Sequence, residues 1–210
     1  MPRAGLDAAR VTRAAAAFID ERGARALTLA ELAAGLGVAP PSLYKHVGGL
    51  DDLLERVALL ATREFTAAIT TAALGRSGSE ALRSVADAYR AFATRHPGLY
   101  PLTQTAPGDA EPDRAEAASE SVAVITAALA GYGVVGTDMV DVVRTVRAAL
   151  HGFVDLERSS GFGMPRSVDG SFAVLVDALD AALLRLGRPG SPTGTGTPES
   201  QRVNRQEDRA

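Results

Sequence analysis

The 210-residue chain contains no cysteine and no tryptophan, and aromatic residues make up only 5% of it. The absence of cysteine excludes disulfides and thiolate metal sites. No apolar run reaches the 18 residues that a membrane span requires, and no signal-peptide pattern is visible, so we expect a soluble, cytoplasmic protein. The length suits one or two domains, and the abundance of alanine and leucine favours packed helices over sheets.

The chain also lacks an excess of positive charge. Its net charge is -3, and the first 61 residues carry seven basic and seven acidic side chains. Nonspecific affinity for nucleic acid comes mainly from neutralised phosphates, so any such affinity should be modest and sensitive to salt. Basic side chains that gather on one face can still form a local binding patch.

Residues 28–47 predict two short helices joined by a tight turn. Thr28 and Glu31 have the spacing of a capping box at the start of the first helix. Gly37 suits a helix end that needs a left-handed backbone. Pro40 suits the first turn of a second helix, where its missing N–H has no partner.

The second helix is predicted from about Ala39 to His46, with Leu43 and Val47 facing inward. The side chains left to point outward are Pro41, Ser42, Tyr44, Lys45 and His46. A short exposed helix with such groups fits a DNA major groove, so residues 40–46 are a candidate recognition helix. The alternative is an ordinary helical hairpin with a solvated face, and the hairpin alone supports both interpretations about equally.

The same region resembles the N-terminal domain of the TetR/AcrR (tetracycline-repressor) family over roughly residues 7 to 60. The matching motifs are Leu36-Gly37-Val38, Ser42-Leu43-Tyr44-Lys45-His46-Val47 and Leu53-Leu54. The resemblance implies a dimeric DNA-binding regulator with a helical ligand-binding domain behind it. It also implies that Ser42 and His46 approach bases or phosphates, Tyr44 the phosphate backbone, and Pro41 a thymine methyl.

One position departs from the family pattern, which usually has a phosphate-binding lysine where this chain has Leu50. The departure predicts weaker phosphate contact on that side. A separate helix is predicted from Asp7 to Arg22. On it, Arg10 and Arg13 face away from the apolar stripe and are candidate phosphate contacts, with a solvated face as the equal alternative.

Periodicity predicts an all-α chain with two domains and a tail. Residues 1–49 form the helix-turn-helix domain, residues 50–187 a helical ligand-binding and dimerisation domain, and residues 188–210 a polar, disordered tail. A long helix from Leu50 to Ala73 connects the two domains as a lever. Ser77 and Glu80 have the spacing of a second capping box. The remaining predicted helices cover residues 77–95, 99–105, 113–130, 138–158 and 169–186.

The last two helices carry broad apolar faces, which predicts that two copies of each form a four-helix bundle in a homodimer. The candidate interface residues are Val143, Leu150, Phe153, Val154, Phe172, Leu175, Val176, Leu179 and Leu183. The alternative is that these faces are buried within their own domain.

A second resemblance covers the C-terminal half and involves a TetR subgroup with a Trp-His-Gly triplet. Leu150 replaces the tryptophan of that triplet here. The matching motifs are His96-Pro97-Gly98-Leu99-Tyr100, Ala130-Gly131-Tyr132-Gly133, His151-Gly152-Phe153-Val154 with Leu156-Glu157, and Gly161-Phe162-Gly163.

Two patterns offer other chemistry. Gly131, Gly133 and Gly136 have the spacing of a dinucleotide fingerprint, but that fingerprint requires a preceding strand and a helix is predicted there. His151 and Asp155 lie four apart on a helix, as a metal pair can, but a pocket-lining histidine is the favoured interpretation. We therefore predict no metal, no cofactor and no enzymatic activity.

The sequence predicts a transcriptional regulator, a repressor that binds a pseudo-palindromic double-stranded operator as a homodimer and is released by a small, mainly apolar effector. The candidate effector residues are Phe92, His96, Tyr100, Leu102, Gln104, Ile125 and His151. Two alternatives remain at this point: a helical enzyme with a nicotinamide cofactor at Gly131–Gly136, and a helical adaptor that does not bind DNA.

Overall fold

The computed structural model describes residues 6–108, 111–134 and 137–187, and this part of the chain contains helices and no strand. The α-helices are α1 (Ala8–Arg22), α2 (Leu29–Leu36), α3 (Leu50–Ala73), α4 (Gly78–Arg95), α5 (Pro112–Leu129), α6 (Thr137–Arg158) and α7 (Val168–Leu186). Short 3-10 helices cover Ala24–Ala26, Pro40–Lys45, Tyr100–Thr103 and Ala130–Tyr132. The all-α prediction is confirmed. The predicted tail, residues 188–210, lies outside the described residues.

Local capping explains where the first helices begin and end. The carboxylate of Asp7 accepts a hydrogen bond from Arg10 N at 2.6 Å and caps α1. Thr28 Oγ1 accepts from Glu31 N at 3.1 Å and donates to Glu31 Oε2 at 2.9 Å, so the predicted cap of α2 is present. Gly37 ends α2 with φ 68°, in the left-handed region that favours glycine.

The capping box predicted at Ser77 and Glu80 is wrong, because the Ser77 side chain makes no capping hydrogen bond to α4. The Glu80 carboxylate instead accepts from Arg76 Nε at 3.1 Å. Gly131 presses against this helix start: a Cβ on Gly131 would lie 2.6 Å from Gly78 N and 3.2 Å from Ser77 Cβ. The backbone of Gly131 thus packs directly against the start of α4.

Two hydrophobic clusters share α3. The N-terminal cluster joins α1, α2 and the Pro40–Lys45 helix to the first half of α3 through Leu53, Val57 and Ala61. The C-terminal cluster joins the second half of α3, from Phe65 onward, to α4, α5, α6 and α7. One continuous helix thus contributes to both cores, as a lever between them requires.

Candidate nucleic-acid interface and ligand cavity

The Pro40–Lys45 helix is amphipathic, as the sequence predicts. Leu43 and Val47 are 0% and 3% exposed and fix the helix to the N-terminal cluster. Hydrogen bonds from Ser42 N to Ala39 O and from His46 N to Leu43 O give the segment its 3-10 geometry. The predicted contact residues lie on the outer side: Pro41, Tyr44 and Lys45 are exposed, and Ser42 and His46 are half-buried. Tyr44, at 61% exposure, is the large apolar side chain that this helix leaves in solvent.

The start of α3 beside this helix is negatively charged. Asp52 Oδ2 accepts from Gly48 N at 2.8 Å and the Asp52 carboxylate accepts from Arg56 Nε at 3.0 Å. The Gly48 N–H is the larger cause that lowers the pKa of Asp52, followed by Arg56. Leu50 is half-buried against the N-terminal cluster. Asp51 is exposed, so this end of α3 offers carboxylates where a phosphate-binding lysine is usual in the family that the sequence resembles.

A basic groove runs between α1 and α3. It encloses about 370 Å³ and is lined by Arg13, Arg56 and Arg63 together with small and apolar residues. Arg13 is exposed, which agrees with its predicted outward orientation. Three guanidinium groups on one face give this nearly neutral half of the chain a local positive surface.

A cavity of about 290 Å³ lies beneath α3, at the lower end of the volumes typical of small-ligand pockets. Its wall includes Thr62 and Phe65 of α3, Tyr89 of α4, Ser121, Val122 and Ile125 of α5, Arg147 of α6 and the segment 103–107. On the side of the cavity where α3 and α5 pack together, the hydroxyl groups of Thr66 and Ser121 hydrogen-bond to each other. The cavity therefore has an apolar wall with hydroxyl, amide and guanidinium groups in defined positions.

A chain of hydrogen bonds leads inward from the cavity. Tyr89 Oη donates to Gln104 Oε1 at 3.2 Å, and Tyr100 Oη donates to Tyr89 Oη at 3.0 Å. Because a phenol has one hydrogen, Tyr100 Oη then accepts from His151 Nδ1, 2.7 Å away. Burial is the main cause that raises the pKa of Tyr100 far above its usual range. The phenols thus stay protonated, and the His151 ring is a structural partner of Tyr100.

The structure divides the predicted effector residues into three groups. Gln104 and Ile125 line the cavity, whereas Tyr100 and His151 lie one layer behind Tyr89. Phe92, His96 and Leu102 lie outside the cavity wall: Phe92 packs on Phe65 and His96, and Leu102 packs against the N-terminal cluster.

His96 instead fastens the second half of the chain to α1. His96 Nδ1 lies 2.7 Å from Asp20 Oδ2, and the N–H of Gly98 donates to Asp20 Oδ1 at 3.0 Å. Gly98 itself lies so close to α1 that a Cβ there would be 1.9 Å from Ile19 O. The Phe65–Phe92–His96 stack therefore connects a cavity residue to the C-terminal end of α1.

Arg114 makes a second connection between the cavity and α3. Its side chain is 8% exposed, and Nη1 lies 2.8 Å from Glu111 and 3.4 Å from Glu55 of α3. Its Nη2 donates to the carbonyl and the hydroxyl of Thr105, which lines the cavity. Burial, followed by the neighbouring Glu111 carboxylate, raises the pKa of Glu55. Arg114 thus connects Thr105, in the segment 103–107, to Glu55 in the first half of α3.

Most of the predicted dimer-interface residues are buried within the single chain. The structure places Val143, Leu150, Val154, Phe172, Val176 and Leu183 in the C-terminal cluster, each 7% exposed or less. These side chains fill the chain's own core and have almost no surface to offer a second copy. Phe153, Leu175 and Leu179 are half-buried against the same core.

The arrangement agrees with comparisons to known proteins. The family model for bacterial regulatory proteins of the tetR family matches residues 11–57, and the model for the tetracyclin repressor-like C-terminal domain matches residues 82–179. A relative from Mycobacterium tuberculosis, the uncharacterized HTH-type transcriptional regulator Rv0681, is 32% identical over 193 residues, covering 91% of this chain and 88% of its own. The chain belongs to the TetR family.

Two further comparisons extend this assignment. The uncharacterized HTH-type transcriptional regulator YobS of Bacillus subtilis is 28% identical, with 87% of this chain and 95% of YobS covered. The solved structure of BioQ with its double-stranded DNA operator is 26% identical, with a TM-score of 0.58, and covers 84% of this chain and 99% of that chain. This TetR-family chain is a DNA-binding transcriptional regulator.

The family assignment favours a regulator over an enzyme. The helix α5 and the Ala130–Tyr132 turn precede Gly133, in place of the strand that a dinucleotide site requires, and Gly136 lies outside the described residues. Among the helices that the structure describes, none is long and apolar enough to cross a membrane.

Sequence reasoning missed Phe65, Tyr89 and Arg147 as cavity residues of this TetR regulator. Phe65 and Tyr89 lie on the apolar stripes of α3 and α4, where core and cavity positions have the same periodicity. Arg147 lies on the exposed face of α6. Only the packing of four helices shows that these three side chains surround one space.

Proposed function

We propose that this regulator acts as a homodimeric repressor that places one Pro40–Lys45 helix in each half-site of a pseudo-palindromic operator. Tyr44 and Lys45 are exposed on that helix while Leu43 holds it to the core. A dimer suits this kind of DNA binding because its two recognition helices enter major-groove half-sites that lie one helical turn apart. BioQ, the relative solved on its operator, supports DNA as the partner. The proposal places the protein in the cytoplasm, with the operator.

The dimer face that we propose lies on the outer side of α6 and α7. A cleft of about 270 Å³ opens between these helices and is lined by Val142, Leu179 and Ala182, among others. Val174, Leu184 and Leu186 of α7 and Val140 of α6 are about half exposed or more. This apolar surface is available to a second copy, and the cleft includes Leu179 and Leu183 from the interface predicted by periodicity.

We propose the cavity beneath α3 as the effector site. The observation that carries this proposal is the continuity of α3: Thr62 and Phe65 line the cavity, and Leu53 and Val57 hold the recognition helix. A ligand that favours one orientation of α3 changes the separation of the two recognition helices. Release requires that the ligand bind the two orientations with different affinity.

The first experiment tests DNA reading by the recognition helix. Duplexes selected from random DNA by the full-length protein supply an operator, and fluorescence anisotropy at two salt concentrations measures binding. We expect Tyr44→Ala to weaken operator binding at least tenfold. Lys45→Ala should weaken binding to all duplexes similarly and reduce the salt slope by about 1, as expected for one lost phosphate contact.

Arg166→Ala, which changes an exposed charge between α6 and α7, is the matched control and should bind the operator like wild type. Failure of the selection to enrich any sequence contradicts the proposal. Full operator affinity in Tyr44→Ala and Lys45→Ala together also contradicts it, because the reading surface would then lie elsewhere.

A further inference from the structure

Arg147 gives the cavity a positive charge. The other described residues that line this space are apolar or neutral polar side chains. Arg147 extends from α6 to the segment 103–107 and donates a hydrogen bond from Nη2 to the main-chain oxygen of Gln104, 3.2 Å away. No carboxylate belongs to the described part of the wall.

Arg147 differs from Arg83, Arg90 and Arg114, three arginines that link separate elements of the chain. Each of those binds two carboxylates: Arg83 binds Asp177 and Asp180, Arg90 binds Glu157 and Asp169, and Arg114 binds Glu55 and Glu111. Within the described ranges, Arg147 has no carboxylate within ion-pair distance. Its guanidinium therefore keeps the planar donor fork that binds a carboxylate through two parallel hydrogen bonds.

The groups beside Arg147 carry no negative charge that would repel an anion. Burial is the main cause that raises the pKa of Tyr89, and it outweighs the positive charge of Arg147, which lowers it. The phenol is therefore neutral at physiological pH. It donates its hydrogen to Gln104 Oε1, and the Gln104 amide donates to Thr103 Oγ1 at 2.8 Å. This end of the cavity is polar without being negative.

The rest of the wall favours an apolar body. Phe65 is 5% exposed and Ile125 is 7% exposed, and Val122 borders the same space. A volume of about 290 Å³ limits the ligand to one or two rings or a short chain. Apolar contact over most of the ligand, with one charged contact to fix its orientation, is the usual division in small-molecule sites.

We propose that the effector is a small carboxylate, or a similar anion, with an aromatic or aliphatic body. Its charged group would bind Arg147 and its apolar body would contact Phe65 and Ile125. This inference rests on the effector site of the proposed function and adds the chemical class of the ligand.

Matched acid and amide pairs test the charge preference. Naphthalene-2-carboxylate and decanoate are compared with naphthalene-2-carboxamide and decanamide by isothermal titration calorimetry on the full-length protein. We expect at least one acid to bind wild type at least tenfold more tightly than its amide. Arg147→Met, which keeps an apolar stem, should remove that difference.

Arg144→Met is the control, because Arg144 is exposed on the same helix and is near Asp141, at 3.9 Å. It should keep the acid preference. Equal binding of acid and amide, an acid preference that survives in Arg147→Met, or no acid binding at millimolar concentration would each overturn the inference.

Operator binding without ligand is measured on the same preparation. Operator binding without acid preference refutes the ligand class alone. If the protein prefers the acid and this preference requires Arg147, but the protein does not bind the operator, then the proposed function is refuted and the inferred ligand class is retained.

Discussion

Gly98 is a residue at which the two halves of the chain approach closely. A Cβ at this position would meet the main-chain oxygen of Ile19 at 1.9 Å and Asp20 Cα at 2.7 Å. Backbone atoms cannot move aside as flexible side chains do, so Gly98→Ala must shift α1 away from the Tyr100–Thr103 segment. The hydrogen bonds from Gly98 N to Asp20 Oδ1 and between His96 and Asp20 depend on the same contact.

We expect Gly98→Ala to lower the free energy of unfolding by about 2 kcal/mol, as overpacked sites do. Urea denaturation followed by circular dichroism measures this. Gly35→Ala is the control, because Gly35 lies within α2 and an alanine Cβ there would meet no atom within 4 Å, so it should be neutral or stabilising by up to about 1 kcal/mol. Equal stability of Gly98→Ala and wild type would show that α1 is not held at this point.

Asp180 of α7 joins three elements at a buried position. Its Oδ1 accepts from Tyr132 Oη, and its Oδ2 accepts from Arg83 Nη1 at 3.3 Å. Burial raises the pKa of Asp180, but hydrogen bonds from Ser79 and Tyr132 and the charge of Arg83 together bring it below the usual value. A carboxylate with a lowered pKa stabilises the folded state above the pKa that it has in the unfolded chain, and this contribution is lost as pH falls through the folded-state pKa.

Asp180→Asn should therefore destabilise the protein by about 2 kcal/mol at pH 7, the typical cost of weakening hydrogen bonds to a buried charge. The difference from wild type should shrink as the pH falls from about 5 to 3. Denaturation curves across this range measure it. Asp177→Asn is the matched control: Asp177 binds the same arginine at 2.8 Å but is 65% exposed, and it should cost less than about 1 kcal/mol. A pH-independent difference for Asp180→Asn would contradict the assignment.

At the scale of elements, the start of α3 places two carboxylates beside the proposed recognition helix. Asp51 and Asp52 lie beside the recognition helix, and Leu50 is half-buried. Acidic residues suit a helix N-terminus because they complement its dipole, but they repel a DNA backbone. At these positions, a negative charge stabilises α3, whereas a positive charge would favour DNA binding.

We expect Asp51→Lys to tighten DNA binding and to steepen the dependence of log K on log salt by about 1, as one added phosphate contact does. Glu64→Lys makes the same charge change on an exposed site of α3 farther from the recognition helix and should leave the slope nearly unchanged. Anisotropy titrations at three salt concentrations distinguish the two. Identical slopes for both variants would show that the start of α3 does not face phosphate.

Helix boundaries could be predicted where the residues that specify them lie within a few positions of one another in the sequence. Thr28, Gly37 and the prolines near residue 40 specify caps and turns within a few residues, and the structure confirms the helix-turn-helix that they predict. Ser77 has the same local signal and is the N-cap residue of α4, but its side chain makes no capping hydrogen bond, and Gly131 lies against this helix start. The local signal at Ser77 therefore predicted the boundary of α4 and failed only for the side-chain hydrogen bond.

The cavity and the dimer face were less predictable, because periodicity shows that a helix face is buried without showing what covers it. Leu150 and Phe172 have the pattern of an interface and lie in the chain's own core. Arg147 has the pattern of a solvated residue and lies in a cavity wall. The positions of Leu150, Phe172 and Arg147 depend on the packing of α3 to α7, which hydrophobic periodicity alone does not show.

For the whole molecule, the proposed homodimer requires a surface that holds two recognition helices at a fixed separation. The apolar surface of α6 and α7 includes Val174 at 69% and Leu184 at 50% exposure. A second copy that covers this surface would extend the C-terminal cluster across a symmetric interface, and the cleft at Ala182 would lie within it. DNA affinity then depends on dimerisation, because each half-site contributes only part of the binding free energy.

Light scattering on the wild type should give about twice the chain mass of 21.7 kDa. We expect Ala182→Arg to shift this mass toward the monomer and to weaken operator binding at least tenfold, because an unpaired guanidinium in an apolar interface is costly to desolvate. Ala91→Arg adds the same side chain to an exposed site on α4, outside the proposed interface, and should remain dimeric. If Ala182→Arg stays dimeric with full operator affinity, the chains associate through another face, and the α3 lever must then act on a different separation of the recognition helices.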